Sequence, residues 1–382
     1  MKQDKPLTVL ITDPHRRGGG QVSYVSLLAE KLAAAGHRAI IGGCKDSVLV
    51  ERGKRAGVEV FDGFTFARGL RIGAWMQDIA AMRWFIRDQQ PDVVHVSGSQ
   101  DHWVAALANR SLGRPVCIVR TRHNSYPVHD GLTNRILNRR WTDYQIVLGE
   151  GLRRQLAKQK AFELDRLHLV RNGIDPDMYR PNPAARKAAR AEFGYTDDHI
   201  VVGIAARLVV AKGHEYLIKA VAQLRDEFPQ LRVLALGEGQ LRNELEQMAA
   251  EHGVADRFYF AGFNEDMPRC IQAIDIGTLP SVECDVSSFV VKEQMAAEIP
   301  MIVSDHGGLP EDVNDGVEGF VVPAGQVEPL AEAIRTLAGD PQKRAAMGKA
   351  GRERVLREYT IDTFINGTVE AYRRACALHE KG

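Results

Sequence analysis

Residues 7–35 read LTVLITDPHRRGGGQVSYVSLLAEKLAAA, and their order decides the fold. Leu7–Thr12 is a short apolar and β-branched run, the signature of a buried strand. Gln21–Ala35 then places apolar residues at helical spacing, so a strand passes into an amphipathic helix through a glycine-rich turn. The same alternation recurs downstream. RAIIGG (38–43), DVVHVS (92–97), CIVRT (117–121) and YQIVLG (144–149) read as strands, separated by helical windows such as Ala74–Gln90 and Leu132–Trp141. Strand–helix–strand repetition predicts a parallel sheet covered on both faces.

The stretch NGIDPDMYRPNP (172–183) holds three prolines and no periodicity, and reads as a linker. Alternation then restarts with IVVGIAA (200–206), LRVLALG (231–237), FYFAG (258–262), IDIGTLP (274–280), IPMIVS (299–304) and GFVVP (319–323). Helices are expected over Gly213–Asp226, Leu241–His252, Val286–Ala297, Pro329–Leu337, Pro341–Glu358 and Thr360–Ala377. The expected architecture is α/β, with two Rossmann-like, doubly wound parallel-sheet domains: one over 1–174, a linker at 175–183, and a second over 184–358. A C-terminal helix at 359–382 is expected to pack back toward the first domain.

Composition removes several classes of function. Across 382 residues, 45% are hydrophobic and 26% charged, an ordinary globular balance that excludes disorder and coiled coil. Lys plus Arg number 50 against 49 Asp plus Glu, which argues against a general nucleic-acid binder. No apolar run approaches the roughly 18 residues of a membrane span. The start, MKQDKPLTVLITD, reads as a strand rather than a secretory signal, so a cytoplasmic location is expected. Cys44, Cys117, Cys270, Cys284 and Cys376 form no CxxC and read as scattered, buried thiols of a reducing compartment. Residues 1–175 carry 27 basic and 17 acidic side chains and the remainder 23 and 32, a split of +10 against −9. Such asymmetry points to two domains facing different partners.

Open parallel sheets bind ligands where their strands end, so the informative residues follow each strand. After the first come Gly18-Gly19-Gly20 and a helix N-terminus, which suits either close approach of an anionic ligand or a tight structural turn. The run is not GxGxxG, and the second strand lacks the acidic residue of a dinucleotide site. After IVVGIAA, Arg207 and Lys212 at the next strand-to-helix junction form a candidate diphosphate clamp. Asp285 and Glu293 then bracket a loop-to-helix turn. With the helix starting near Val286, Asp285 would stand at its N-cap, the amides of Ser287, Ser288 and Phe289 would form an anion nest, and Glu293 would lie two turns in, able to bind vicinal hydroxyls. His95, His102, His129, His168 and His214 show no metal-ligand spacing. No metal or cofactor is expected.

Taken in order, these elements resemble the retaining GT-B glycosyltransferases of family 4 (glycosyl transferases group 1) along nearly the whole chain, in the type that builds cell-surface glycans and lipopolysaccharide. The resemblance rests on Gly19-Gly20, Gly36-His37, Asp92-Val-Val-His95, Thr121-Arg-His123, Arg171-Asn-Gly-Ile-Asp175, Gly203-Ile-Ala-Ala-Arg207 with Lys212-Gly213, Gly237-Glu-Gly239, the acid-x7-acid element ending in Glu293-Gln-Met-Ala296, and Gly307-Gly308 with Glu311. It implies two domains facing a central cleft; the charge split adds the expectation of reversible, peripheral contact with an anionic membrane, without integral insertion. The resemblance implies transfer of a sugar from a UDP- or GDP-linked donor to a glycan or lipid-linked acceptor, without metal and with no nucleic-acid partner.

By the same resemblance, Arg207 and Lys212 hold the diphosphate, Glu293 binds the ribose, His123 sits by the transferred sugar and Asp285 reads its hydroxyls. Gly19, Gly20, Ser287, Ser288 and Phe289 contact phosphate and sugar, while Gly237, Gly239 and Phe263 flank the base. One departure concerns the first acid, usually Glu before a glycine-aromatic-glycine stretch. Here Asp285 precedes Val-Ser-Ser-Phe, and Glu283 stands as an alternative. Two rival readings are a sugar-nucleotide epimerase and a catalytically silent sugar-nucleotide-binding protein. Arg16, Arg17, Arg135, Arg139 and Arg140 are candidate contacts to an anionic membrane.

Overall fold

The structure is a computed structural model describing residues 5–67, 69, 71–126, 128–283 and 285–380. Cys284 therefore lies outside the described residues. The chain divides into two compact units, Met1–Asn172 with Ile361–Gly382, and Gly173–Thr360.

Among the described residues of the first unit, seven strands form one sheet: β1 (Thr8–Thr12), β2 (Arg38–Cys44), β3 (Glu59–Phe64), β4 (Val93–Val96), β5 (Cys117–Arg122), β6 (Tyr144–Val147) and β7 (Leu167–Leu169). Their order is β3-β2-β1-β4-β5-β6-β7 and every pairing is parallel. Two of these strands escape a sequence reading. EVFDGF of β3 carries two acids and a glycine at a partly exposed edge, and β7 is only three residues long. The second unit repeats the plan with β8 (Ile200–Ala205), β9 (Leu231–Leu236), β10 (Phe258–Gly262), β11 (Ile276–Leu279), β12 (Met301–Ser304) and β13 (Gly319–Val322), ordered β10-β9-β8-β11-β12-β13 and again parallel.

In each sheet the order reverses beside its first strand, between β1 and β4 and between β8 and β11. That is the switch point where such sheets open a ligand crevice. The same device pins both switch points. The Thr8 amide donates to the Asp92 carboxylate at 2.7 Å, and the Val201 amide to Asp275 at 2.8 Å. Each acid precedes the strand across the switch and fixes its register against the first strand.

The helix Ile361–His379 is an integral part of the first unit. Its Tyr372 is fully buried, with its hydroxyl 2.6 Å from His95 Nδ1, and Phe364 packs edge-on against Tyr24 at 5.2 Å. The linker stretch carries no helix and no ladder strand until Pro183–Glu192. Its one pairing is a bridge of Ile174 to Thr360, where the Ile174 amide donates to the Tyr359 carbonyl at 2.8 Å.

The basic surplus of the first unit is not all at its surface. Arg120 and Arg122 on β5 are buried. Arg120 lies 2.6 Å from His102 Nδ1, while Arg122 donates to Gln145 and Asn138 and sits over the Phe162 ring. Burial pushes the Arg120 guanidinium down to about 10 and His95 down to about 3.

Candidate functional site

In the second unit, four loops that follow strands are locked to one another by backbone. Gly237, after β9, lies so close to the Ala206 carbonyl that a Cβ there would stand 2.1 Å from its oxygen, and at Gly239 one would stand 2.2 Å from the Leu208 oxygen. The Leu208 amide donates to Glu238 at 3.0 Å, and Val282 to Ala211 at 2.9 Å. Gly213 has φ +70° and would drive a Cβ to 2.0 Å from the Pro280 oxygen. After β12, Gly307 and Gly308 pack against the Asp285 and Val286 carbonyls, and the Gly308 amide donates to Asp285 at 2.8 Å. Only glycine permits these approaches, so the loops after β8, β9, β11 and β12 form one rim at the carboxyl ends of their strands.

This rim carries the candidate side chains. Lys212 Nζ reaches both Asp285 oxygens, at 2.6 and 2.7 Å, with the two side chains only 17% and 13% exposed. Asp285 therefore makes the ion pair, while Glu283 is exposed. Arg207 is exposed and has no ion pair with any described residue, which leaves its guanidinium available to an incoming anion. Phe263 is 64% exposed beyond Gly262. Next to Lys212, His214 is buried with no hydrogen-bond partner among the described residues at either ring nitrogen. Burial, reinforced by the Lys212 charge, pushes it down to about 4, so it is neutral at physiological pH.

The turn into the acidic helix differs from the sequence expectation. The helix is Phe289–Ala296, and its N-cap is Ser288, whose hydroxyl accepts from Val291 at 3.4 Å; Asp285 is not the cap. The proposed amide nest is also partly consumed, because the Ser288 amide donates to Asp312 at 2.9 Å. Sequence reasoning overlooked the fully buried Lys292, which donates to the Ser287 hydroxyl, the Ser288 carbonyl and Asp312. The signal was a lysine in an otherwise apolar helical face. Since a buried ammonium requires partners, Lys292 and Asp312 dictate the shape of the Ser-Ser turn.

Glu293 lies one turn into the helix rather than two. Burial raises its carboxyl from 4.5 to about 7, opposed by a hydrogen bond from Tyr179 and by the Lys292 charge. Tyr179 comes from the linker stretch, where no function was expected. Its own hydroxyl is pushed well up by burial and by Glu293.

The remaining candidates belong to the first unit. Gly19 precedes and Gly20 opens the helix Gly20–Ala34, and the space where either Cβ would stand is open. His123 follows β5, with its ring edge-on to Tyr24 at 4.6 Å and its Nε2 buried without a partner among the described residues. Burial, with the charges of His95, Arg120 and His15, drives its pKa well down and keeps it neutral. Asp13, at the end of β1, is fully buried. One of its oxygens accepts from the His15 amide at 2.7 Å and the other has no partner among the described residues.

Two family models cover most of the chain. Glycosyltransferase Family 4 matches residues 18–178, and Glycosyl transferases group 1 matches residues 185–354. A GDP-mannose-dependent alpha-(1-6)-phosphatidylinositol monomannoside mannosyltransferase of Mycolicibacterium smegmatis is 34% identical over 188 residues, 47% of this chain and 49% of that protein. The alignment thus spans about half the length of the curated relatives first matched. Among solved structures, a glycosyltransferase from Rickettsia africae superposes with TM-score 0.88 at 17% identity, covering 97% of this chain and 99% of that one. Anabaena HepE, solved with UDP, gives 0.84 at 22% identity, covering 95% and 99%. These likenesses fix the fold as GT-B.

Proposed function

Because the chain belongs to the group 1 glycosyltransferases, we propose that it transfers a sugar from a UDP- or GDP-linked donor to a glycan or lipid-linked acceptor, with retention of anomeric configuration, in the synthesis of bacterial surface polysaccharide or lipopolysaccharide. The observation that carries this reading is the glycine-locked rim of the second unit, which holds a free guanidinium, a Lys–Asp pair and a helix-borne carboxylate at the carboxyl ends of parallel strands.

On this reading, Arg207 and Lys212 meet the charge that grows on the departing diphosphate, which needs no metal. The incoming diphosphate takes Lys212 from Asp285, and the freed carboxylate accepts hydroxyls of the donor sugar. Glu293, oriented by Tyr179, accepts the ribose hydroxyls, with Phe263 and the Gly237–Gly239 backbone beside the base. Gly19, Gly20, Ser287, Ser288 and Phe289 contact phosphate and sugar, and the neutral His123 offers its unpartnered nitrogen to the transferred sugar. In the step itself, the bond from the anomeric carbon to phosphate breaks as the acceptor oxygen adds from the same face, and the leaving phosphate takes the acceptor proton. The protein works in the cytoplasm, in reversible contact with the anionic inner face of the membrane.

The test is a thermal-shift screen of nucleoside diphosphates and their sugars, followed by magnetic resonance of the product anomer. Selective stabilisation by a uridine or guanosine diphosphate and a product of donor configuration are expected. No stabilisation by any of them removes the donor assignment, and an inverted product removes retention.

A further inference from the structure

Cys117 opens β5, and Cys376 lies near the end of the helix Ile361–His379, 259 residues later. Scattered in the sequence, their sulfurs stand 3.2 Å apart in the folded first unit. A small side-chain movement separates that distance from the ~2.05 Å of a bond. Both cysteines line a cavity of about 730 Å³ together with Asp92, Pro115 and His379, and Cys376, the partly exposed one of the two, is the sulfur open to a small solute.

The surroundings give the two sulfurs different tasks. His379 Nδ1 lies 3.0 Å from an Asp143 oxygen and Nε2 lies 2.9 Å from the Arg114 carbonyl. A ring facing two acceptors donates from both nitrogens and is an imidazolium; the Asp143 contact raises its pKa. The hydrogen bond from Cys117 draws the Cys376 thiol down, and His379 adds to that. Cys117 is pushed well up by the same bond and by burial. Cys376, the less buried of the two and the one beside the His379 charge, is thus the thiolate-prone partner, and the buried Cys117 the protonated one. Cys44 and Cys270 are free and buried, and burial raises both.

We infer that Cys117 and Cys376 form an oxidisable dithiol, which hydrogen peroxide converts to a disulfide fixing the C-terminal helix to the sheet of the first unit. The Cys376 thiolate attacks a peroxide oxygen, the O–O bond breaks, and hydroxide leaves to become water, giving a sulfenic acid. The Cys117 sulfur then attacks the Cys376 sulfur. The S–S bond forms, the S–O bond breaks, and hydroxide departs with the Cys117 proton as a second water. Two thiols are oxidised and one peroxide is reduced. The bond closes a covalent ring around the whole of Gly173–Thr360, so the chain cannot release its last helix from the first unit.

The experiment uses the full, reduced chain. Hydrogen peroxide is added in small steps, unreacted thiols are blocked with N-ethylmaleimide, and non-reducing tryptic peptides are mapped by mass. A peptide pair joining Cys117 to Cys376 is expected ahead of any joining Cys44, Cys270 or Cys284, and dithiothreitol should reverse it. Amide exchange across 361–379 should slow by about tenfold or more, the lower end of what a loop-closing cross-link does. Cys376→Ser should lose both effects and Cys44→Ser keep them. Three results overturn the inference: both thiols remaining alkylatable after peroxide, Cys376 running to sulfinic acid without a bridge, or an equal bridge yield in urea, where only chance encounter joins the sulfurs.

Discussion

Arg207 and Lys212 occupy one loop but differ in what their loss exposes. Arg207→Ala should lower kcat/KM by about tenfold or more with stability unchanged, because a charge-assisted bond is worth about 1.5–3 kcal/mol and the side chain has no ion-pair partner among the described residues. Lys212→Ala should lose at least as much activity. It should also cost stability of about 1–3 kcal/mol, since it leaves the Asp285 carboxylate, only 13% exposed, unpaired. Denaturant titration separates the two variants, and equal stability would mean the pair is too solvated to matter. Asp285→Asn should spare binding of the bare nucleoside diphosphate, whereas Glu293→Gln should weaken it; calorimetry with UDP and GDP checks both. Glu293 also carries a pH signature. Its folded pKa of about 7 exceeds the ordinary 4.5, so the folded protein holds this proton more tightly. This group therefore subtracts stability as pH rises from 4.5 to 7, and Glu293→Gln should be near neutral at pH 4 and stabilising at pH 8. Nucleoside diphosphate affinity should rise through the same window as the carboxylate ionises. A flat binding profile would detach Glu293 from the ribose.

The elements of the site are held by backbone, so their weak points are glycines rather than charges. At Gly213 both the left-handed φ and the Pro280 carbonyl oppose a side chain. Gly213→Ala should cost the second unit about 1–3 kcal/mol and weaken donor binding with it. Gly194, at φ +75° with open space around it, tests the conformational part alone. Gly194→Ala should cost about 1 kcal/mol or less and leave binding intact. Comparable losses in the two variants, followed by thermal unfolding, would mean the Pro280 contact relaxes cheaply. The acidic helix shows why element boundaries escape a sequence reading. Val286 is apolar and three residues ahead of Phe289, so propensity allows a start there. The Gly307-Gly308 turn instead holds the Asp285 carbonyl and the Lys292–Asp312 pair holds Ser288, which keeps the chain extended until Ser288 caps the helix.

Regrouping the chain by unit leaves the charge split in place: 30 basic and 19 acidic side chains in the first, 20 and 30 in the second. Part of that surplus is interior or paired, since Arg120 and Arg122 are buried, Arg135 binds Asp130 and Arg139 binds Glu163, whereas Arg16, Arg17 and Arg140 are exposed. An exposed cation near an anionic leaflet contributes about 1 kcal/mol, screened over about 10 Å at 0.1 M salt. Co-sedimentation with anionic vesicles should therefore be modest at about 50 mM salt and lost at about 500 mM. Equal recovery on neutral vesicles would make a soluble acceptor the better partner. Acid should also act on the first unit before the second. His95 falls from 6.5 to about 3 on burial, and His102 and His123 fall with it, so the unfolded chain binds more protons in that window. Stability from His95 is full above 6.5 and declines as pH falls toward 3, by about 1.4 kcal/mol per pH unit, and His102 and His123 act in the same direction. Hydrogen exchange at pH 5 should show helix 361–379 and β5 opening before β8, and the reverse order would refute it.

Local pattern by itself determined the alternating α/β plan, the two sheets, and the loops that carry the candidate side chains. Strand and helix periods and glycine punctuation are properties of neighbouring residues, and most core strands carry an apolar run long enough to register. Only the tertiary structure decided which side chains share a site. It brought Asp285 onto Lys212, Tyr179 of an unpatterned linker onto Glu293, a buried lysine under the Ser-Ser turn, and Cys376 to within 3.2 Å of Cys117. These contacts join residues from 73 to 259 positions apart, apart from the short-range Lys292 turn. Their formation depends on the order in which parallel strands pair and on where the chain crosses back, and neither is written in any local window of the sequence.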